Sequence, residues 1–429
     1  MKIIRVKKEN LEKRLKGLRR ETSFSDPRIE SSVRKIVDDV RKNGDRALFK
    51  YTEKFDRLEL SRRTIKVSDK EIERAKSLVS DEIRSNLALA SKRIRDYQEN
   101  KLPQGKTFTD SLGNELGWVI RPIERVGIYV PGGKAAYPST VLMTAIPAKV
   151  AGVEKIIMVT PCPDGEINPT VLVAASMAGV DAIYKVGGAQ AVAALAFGTH
   201  SIPKVDKIVG PGNIYVTIAK KLVFGAVGID MIAGPSEVLI ISDGSSPAGW
   251  IAADLLAQAE HDEMAVPVLV TNSLQFAKKV NDEVTMRLKT LNRKQIATEA
   301  VRNQGRIFVV DALEDAVSIA NAVAPEHLEL CVENPKAMLP RIKHAGAIFL
   351  GSMSTEAFGD YVAGPSHVLP TGGAARFSSP LSVYDFVRMP SLIAVSHSGF
   401  RELQQSVINL AYSEGLEAHA LSVKARFDG

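Results

Sequence analysis

The sequence predicts an α/β protein with two related lobes, each built around a parallel sheet. Short apolar strands alternate with helices from about residue 140 to residue 350, which implies parallel strands joined by right-handed helical crossovers. The same alternation of apolar strands and helices begins again near residue 238, which suggests two successive α/β units. No internal repeat is sharp enough to prove a duplication.

The first hundred residues have a helical pattern. The predicted helices include one that begins with an N-cap and proline at 25–27 and runs through about residue 51, and Lys/Glu-rich helices over 69–97. Residues 113–130 look extended, with strands predicted over 118–120 and 126–130.

The two lobes follow in order. In the first, we predict helix 142–150, strand 155–160, helix 170–177, strand 182–186, helix 189–197, strand 207–209 and a helix ending at 223. In the second, we predict strand 238–241, helix 250–258, strand 266–270, a helix after 273, strand 306–310, helix 313–323 and strand 347–350.

The last fifty residues differ from both lobes. A strand-like stretch, 382–387, precedes an amphipathic helical tail that ends near Phe427. So short a tail cannot form a core alone, and it must therefore pack on the lobes or on a second chain.

Composition indicates a soluble protein of the reducing cytoplasm. Of the 429 residues, 45% are hydrophobic and 24% charged, and neither a signal peptide nor a membrane-spanning run is recognisable. The two cysteines, Cys162 and Cys331, lack a metal or redox spacing and are expected in the core. The net charge is +7, but the basic residues are interspersed with acidic ones and no nucleic-acid-binding motif accompanies them. We therefore expect no nucleic acid partner.

Three glycine turns follow strands of the first lobe. They lie at Gly132-Gly133, Gly187-Gly188 and Gly210-Pro211-Gly212. Parallel sheets bind ligands at the carboxyl ends of their strands, and helix starts there suit phosphate. One such turn commonly serves only chain reversal, but three together favour a shared ligand cleft.

The standard phosphate fingerprints are incomplete here. Lys134 comes one position late for a P-loop, and Ala135 replaces its Ser/Thr. Tyr215 stands where a third glycine would complete the dinucleotide motif. Glycines alone therefore do not assign NAD.

Polar motifs of the second half carry the remaining candidates. Gln258 and His261 share one face at a helix end, where such residues either cap the helix or act as ligands, and lone histidines usually have a structural role. With Asp360 and His419 they would make a nitrogen and oxygen donor set for zinc, although glutamine is an unusual ligand. The Glu326-His327 pair suits either proton transfer or a salt-bridged loop, about equally.

Five of these motifs, in order, resemble those of the histidinol dehydrogenase family, and the resemblance spans about residues 125–419. They are Gly127–Gly133, Val186–Ala191, Gly210–Asn213, Asp230–Glu237 and His367–Gly373. Two positions beside the zinc candidates depart from the expected pattern, since Ala257 replaces serine and Asp262 replaces glycine.

The resemblance implies a zinc enzyme that oxidises L-histidinol to L-histidine through L-histidinaldehyde with two NAD⁺, in histidine biosynthesis. It implies one zinc per subunit, with Gln258, His261, Asp360 and His419 as ligands. His327 resembles the base that takes the alcohol proton, and Glu326 the group that activates water. Implied substrate contacts are Ser236, Gln258, His261, His327, Asp360, His367, Glu414 and His419, and implied NAD contacts are Tyr129, Gln190 and Asn213.

The resemblance also implies a domain plan and a homodimer. It gives an N-terminal helical segment (1–25), a metal and substrate lobe (26–128 and 237–378), an NAD-binding lobe (129–236) and a C-terminal dimerisation arm (379–429). Both lobes would be incomplete, doubly wound Rossmann-like units, and the arm would bring Glu414 and His419 to the partner's site. The residues alone leave two rivals, a zinc hydrolase and a non-catalytic protein with a zinc-held ligand cleft.

Overall fold

The computed structural model describes residues 1–12, 15, 26–132 and 136–427. Its helices and strands, in chain order, are β1 (Lys2–Val6), α1 (Pro27–Asn43), α2 (Asp45–Asp56), α3 (Asp69–Leu78), α4 (Asp81–Asn100), β2 (Lys106–Thr109), β3 (Glu115–Trp118), β4 (Arg121–Pro122), β5 (Arg125–Tyr129), α5 (Pro138–Val150), β6 (Lys155–Val159), α6 (Pro169–Ala178), β7 (Ala182–Tyr184), α7 (Gly188–Phe197), β8 (Lys207–Val209), α8 (Ile214–Val223), β9 (Gly228–Ile229), β10 (Glu237–Ser242), α9 (Ala248–Ala259), β11 (Val266–Thr271), α10 (Leu274–Leu288), α11 (Lys294–Asn303), β12 (Arg306–Val310), α12 (Leu313–Val323), β13 (His327–Cys331), α13 (Pro335–Met338), β14 (Ala347–Leu350), α14 (Glu356–Tyr361), β15 (Val387–Arg388), β16 (Ser391–Ala394), α15 (His397–Ser413) and α16 (Glu417–Lys424).

Two parallel sheets form the framework and confirm the predicted fold class. One has the strand order β7-β6-β5-β8-β9, and the other has the order β1-β12-β11-β10-β13-β14. If the strands are numbered from β5 in one lobe and from β10 in the other, both sheets have the order 3-2-1-4-5. Strand β1 adds to the edge of the second sheet beside β12. Helices cover both faces of each sheet, as buried apolar strands require.

The lobe boundaries differ from the predicted ones. The prediction grouped 26–128 with the second lobe, but β5 is the central strand of the five-stranded sheet. Helices α1 to α4 pack on that sheet too: Leu48 lies in one core with Tyr129, and Ile94 lies in another with Val126. The amphipathic pattern predicted these helices but could not say which sheet would cover their apolar faces.

The amino-terminal helical prediction is wrong for its first residues. Lys2–Val6 is a strand that pairs in parallel with Arg306–Val310, because its Ile, Ile and Val side chains suit a sheet edge. Most of the rest of segment 1–25, including the Ser25 part of the predicted N-cap, lies outside the described residues, and Asp26 caps α1. Gly133, Lys134 and Ala135 of the first glycine turn also lie outside them.

The carboxyl-terminal segment contains one further correction. The strand predicted over 382–387 is mainly a 3₁₀ turn, Val383–Phe386, because Ser382 and Asp385 cap each other's backbone. The short strands β15 and β16 then pair antiparallel with β4 and β3. The helices α15 and α16 pack mainly on each other through a small cluster of Ile408, Ala411 and Ala420.

Apolar side chains remain exposed along these two tail helices. They are Leu403, Val407, Leu410, Leu416 and Leu421, each more than two-fifths exposed. Both cysteines are buried in the lobes, as the sequence predicted. None of the helices in the described ranges is both long and apolar enough to cross a membrane.

Candidate active site

Polar residues gather at the amino ends of two neighbouring strands of the six-stranded sheet. Ser236 immediately precedes β10, and Glu326 immediately precedes β13, whose first residue is His327. The register pairs Val238 with His327, and the Glu237 N–H donates to Glu326 Oε2 at 2.9 Å. Strand pairing thus brings together two segments that are 90 residues apart in sequence.

The Gln258 side chain reaches this point from the end of α9 and is fully buried. Its amide nitrogen faces the Glu237 carbonyl at 3.1 Å and the Glu356 carboxylate at 3.2 and 3.3 Å, and it also lies 3.1 Å from His327 Nδ1. This orientation directs the amide oxygen to within 3.0 Å of His261 Nδ1. An amide oxygen and an imidazole nitrogen then converge, as two ligands of one cation would.

Helix α14 supplies carboxylates to the same point. Glu356 and Asp360 are four residues apart and therefore lie on one face of that helix. Ligand atoms of His261, Glu356 and Asp360 all lie within 4.8 Å of one another. Burial raises the pKa of Asp360 to about 7, and burial followed by the charges of Asp360 and Glu326 raises the pKa of Glu356 well above its usual value.

His327 is placed to accept a proton. Its Nδ1 lies 3.1 Å from the Glu237 carbonyl oxygen, and donation to that oxygen would leave the lone pair of Nε2 free. Burial lowers the pKa of His327 to about 3, which keeps the imidazole neutral. Nε2 lies 3.9 Å from Asp360 Oδ1, on the side of the converging ligands.

Glu326 adjoins that histidine, with Oε2 at 3.8 Å from His327 Nδ1. Burial raises the pKa of Glu326 well above its usual value, against the hydrogen bond from the Glu237 N–H that lowers it. Burial therefore favours the protonated form of this carboxyl group and makes its carboxylate a stronger base.

His367 connects the two lobes. Its Nδ1 donates to the Asp360 carbonyl oxygen at 3.1 Å, and its Nε2 lies 3.2 Å from the Thr140 hydroxyl of α5. Burial lowers the pKa of His367 to about 4, so this imidazole is neutral and accepts from Thr140.

A second pair of carboxyl groups lies behind the site. Glu329 of β13 is fully buried, and its Oε1 accepts from the Glu356 N–H at 2.8 Å. The Glu329 carboxyl group also faces that of Asp254 of α9, and the two groups can share a hydrogen bond only when one of them holds a proton. Burial raises the pKa of Glu329 to about 8 and that of Asp254 to about 6.

A cavity of about 630 Å³ opens beside these groups. Residues of both lobes line it, among them Tyr97, Lys101, His327, Phe349, Asp360 and His367. The cavity therefore offers a neutral base, a carboxyl group and aromatic walls to a small polar molecule.

The structure does not bring every predicted site residue to this cluster. Glu414 and His419 are exposed on the tail helices. Among the described residues, the group of possible metal ligands contains Glu356 rather than His419.

The predicted NAD contacts lie at the carboxyl ends of the five-stranded sheet. The hydroxyl of Tyr129, the last residue of β5, accepts from the Gly188 N–H at 2.9 Å, and burial raises the pKa of Tyr129 to about 12. The Asn213 side chain caps α8, where it accepts from the N–H groups of Tyr215 and Val216. Gln190 Oε1 is buried and has no hydrogen-bond partner in the part of the chain that the structure describes.

Comparison with known proteins gives this arrangement its context. The sequence matches the family model described as histidinol dehydrogenase over residues 18–427. The chain belongs to the histidinol dehydrogenase family. Histidinol dehydrogenases of Syntrophotalea carbinolica and Aquifex aeolicus are 54% and 51% identical, over 93% and 99% of this chain and 92% and 99% of theirs. A crystal structure of histidinol dehydrogenase from Elizabethkingia anophelis is 38% identical, has a TM-score of 0.94, and is matched over 100% of this chain and 98% of that one.

Sequence reasoning missed three contributors to the site of this family member. They are the Glu356 carboxylate, the Glu237 carbonyl beside His327 Nδ1, and the Thr140 hydroxyl. The four-residue spacing of Glu356 and Asp360 was the one available signal. The other two contacts exist only through tertiary packing.

Proposed function

We propose that this enzyme oxidises L-histidinol to L-histidine through L-histidinaldehyde, with two NAD⁺ and one zinc ion per subunit, in cytoplasmic histidine biosynthesis. The convergence of Gln258, His261 and Asp360 beside His327 carries the proposal. Family membership favours it over a zinc hydrolase or a non-catalytic binding protein.

The donor set fits zinc. An amide oxygen, an imidazole nitrogen and a carboxylate are nitrogen and oxygen ligands of the kind that zinc accepts. A bound cation would also favour the ionised form of Asp360, whose pKa is raised by burial. Zinc would supply a positive charge that orients the amine and imidazole of the substrate. Gln258, His261 and Asp360 would hold it together with His419 from a second copy of the chain.

His327 would take the alcohol proton in the first oxidation. When its Nδ1–H donates to the Glu237 carbonyl, its Nε2 lone pair faces the ligand cluster. A neutral imidazole in this orientation accepts the hydroxyl proton as hydride leaves the carbinol carbon.

Glu326 would serve the second oxidation. The aldehyde must gain water before it can give up a second hydride, and a carboxylate accepts the proton of that water. The raised pKa of Glu326 gives it the basicity that this step needs. Ser236, His367 and Glu414 are the proposed further substrate contacts.

NAD⁺ would accept the hydride at the five-stranded sheet. Tyr129, Gln190 and Asn213 are the proposed contacts. The crevice where the strand order reverses, beside β5, is the usual dinucleotide position in such sheets. The buried Gln190 oxygen lacks a hydrogen-bond partner among the described residues, which fits a polar ligand at this position.

The proposed function is tested by following NADH formation from L-histidinol before and after zinc removal by dipicolinate. We expect two NADH per histidinol, loss of activity on chelation and recovery on adding Zn²⁺. Unchanged turnover by protein with verified zinc loss would contradict the metal's role, and no NADH formation by zinc-loaded protein would contradict the reaction.

The shared site is tested by mixing two inactive chains, His261→Ala and His419→Ala. If the arm serves the partner, a mixed dimer contains one intact site, and activity should recover to roughly a quarter of wild type when exchange is complete. His397→Ala, on the same arm, is the control that should be active alone. Absence of recovery despite exchange shown by mass spectrometry would argue against crossing arms.

A further inference from the structure

We propose that the buried ion pair of Lys220 and Asp230 is a positioning device for the dinucleotide, because it fixes both backbone polar groups of Gly210. The inference rests on the proposed function, in which the turn 210–213 contacts NAD. It concerns residues that contact the turn and not the dinucleotide itself.

The pair encloses the turn from two elements. Lys220 of α8 and Asp230, directly after β9, form an ion pair, and their side chains are 3% and 1% exposed. Lys220 Nζ donates to the Gly210 carbonyl oxygen at 3.0 Å. Asp230 Oδ2 accepts from the Gly210 N–H at 2.8 Å, and its Oδ1 accepts from the Met231 N–H at 2.7 Å.

Gly210 has little freedom to compensate for loss of these bonds. Its φ of +113° is a conformation that favours glycine, and a Cβ there would lie 2.2 Å from the Tyr129 carbonyl oxygen. The turn therefore packs directly on the backbone of another proposed NAD contact. Any shift of Gly210 would move Asn213 relative to Tyr129.

A buried pair of this kind carries a specific consequence. Removing one partner leaves an uncompensated charge, whereas replacing both charges by neutral groups of similar shape avoids that penalty. In a double variant, Lys220→Met with Asp230→Asn, no buried charge is unpaired and the new amide oxygen can accept from the Gly210 N–H, but the Gly210 carbonyl and the Met231 N–H lose their partners. Stability and cofactor positioning should therefore separate.

The test compares Lys220→Met, the double variant Lys220→Met with Asp230→Asn, and Lys221→Met as control. Lys221 is the neighbouring lysine on the same helix, and it is half exposed. Dissociation constants for NADH come from nicotinamide fluorescence, and hydrogen exchange of the 208–217 segment reports on the turn without cofactor.

We expect NADH dissociation constants to rise ~10-fold in both Lys220 variants, with faster exchange of the turn. Zinc content and the KM for histidinol should be unchanged. The single variant should melt lower than wild type, and the double variant should regain stability without regaining NADH affinity, a split that a purely structural role would not produce.

A folded double variant with wild-type NADH affinity would overturn the inference and leave the proposed function intact. Failure of the wild-type protein to bind NADH would instead overturn both. Equal effects in the Lys221→Met control would also overturn the inference, because they would show a general effect of charge on α8.

Discussion

The two lobes share a strand order but use opposite ends of their sheets. In the five-stranded sheet, the candidate NAD residues lie at the carboxyl ends of the strands, around Tyr129 and Gly210. In the six-stranded sheet, Glu326 and His327 lie at the amino end, beside Ser236. The shared strand order therefore does not determine at which end of a sheet the candidate site residues lie. The segments that connect the strands determine it.

In the six-stranded sheet, a side chain of the protein fills the hydrogen-bonding role that a phosphate would have at the carboxyl end. At the point between β10 and β13 that corresponds to the dinucleotide crevice, Asp243 accepts from the N–H groups of Ser245 and Glu333, both at 2.9 Å. A carboxylate of the chain thus takes the backbone donors that a phosphate would use. The five-stranded sheet has glycine turns at that edge instead.

His327→Ala should produce the largest effect, and it should change catalysis at the six-stranded sheet without changing NADH binding at the five-stranded sheet. Loss of the neutral base should lower kcat by roughly 10²- to 10⁴-fold while zinc content and NADH affinity stay at wild-type values. Stopped-flow NADH formation and fluorescence titration measure the two quantities. His344→Ala, in the same lobe, is the matched control, and a His327→Ala enzyme with full turnover would refute the assignment.

Two glycine variants sharpen the comparison between the edges. An alanine Cβ would lie 2.2 Å from the Tyr129 carbonyl oxygen in Gly210→Ala, and 2.5 Å from the Glu326 carbonyl oxygen in Gly346→Ala. We expect Gly210→Ala to weaken NADH binding ~10-fold, and Gly346→Ala to lower kcat ~10-fold without weakening NADH binding.

Gly225→Ala is the control for backbone strain, because Gly225 also has a positive φ, +99°, but open space around it. It should lower the melting temperature without changing either constant. If both active-site glycine variants changed NADH affinity equally, the division between the edges would be wrong.

Glu329→Gln should have the smallest effect, on pH-dependent stability. Because burial raises the pKa of Glu329 to about 8 in the folded state, its stabilising contribution is complete below the unfolded pKa of about 4.3 and is lost as pH rises to about 8. A glutamine can still donate to Asp254 and accept from the Glu356 N–H.

The variant should therefore lose less stability than wild type between pH 5 and pH 8, by about 1–3 kcal/mol or a few degrees of melting temperature. Calorimetry at the two pH values measures this difference. Glu333→Gln, two residues after the same strand, is the control expected to follow wild type. Parallel pH profiles for Glu329→Gln and wild type would contradict the raised pKa.

The sequence predicted elements with strong apolar patterns well. Strands 207–209, 306–310 and 347–350 and helix 313–323 agree with the structure to the residue. It failed at 382–387, where the local Ser382 and Asp385 caps override a strand-like pattern. It also misplaced 26–128, since the choice of sheet on which a helix packs is a tertiary property.

The candidate site was predictable only in part. Parallel strands explain why Glu326 and His327 lie near Ser236, but periodicity could not place Glu356 against the amide of Gln258. The Lys220 contact with Gly210 was hidden for the same reason, because it depends on the Lys220 side chain reaching back to the turn that precedes α8.

The central claim is that the dinucleotide site and the metal ligands lie on different sheets. The most direct test of this claim is NADH titration of zinc-free and zinc-loaded protein, with nicotinamide fluorescence as the signal. If the five-stranded sheet binds the dinucleotide independently of the metal ligands, the two dissociation constants should agree within about twofold. Loss of NADH binding on removal of zinc would contradict the account.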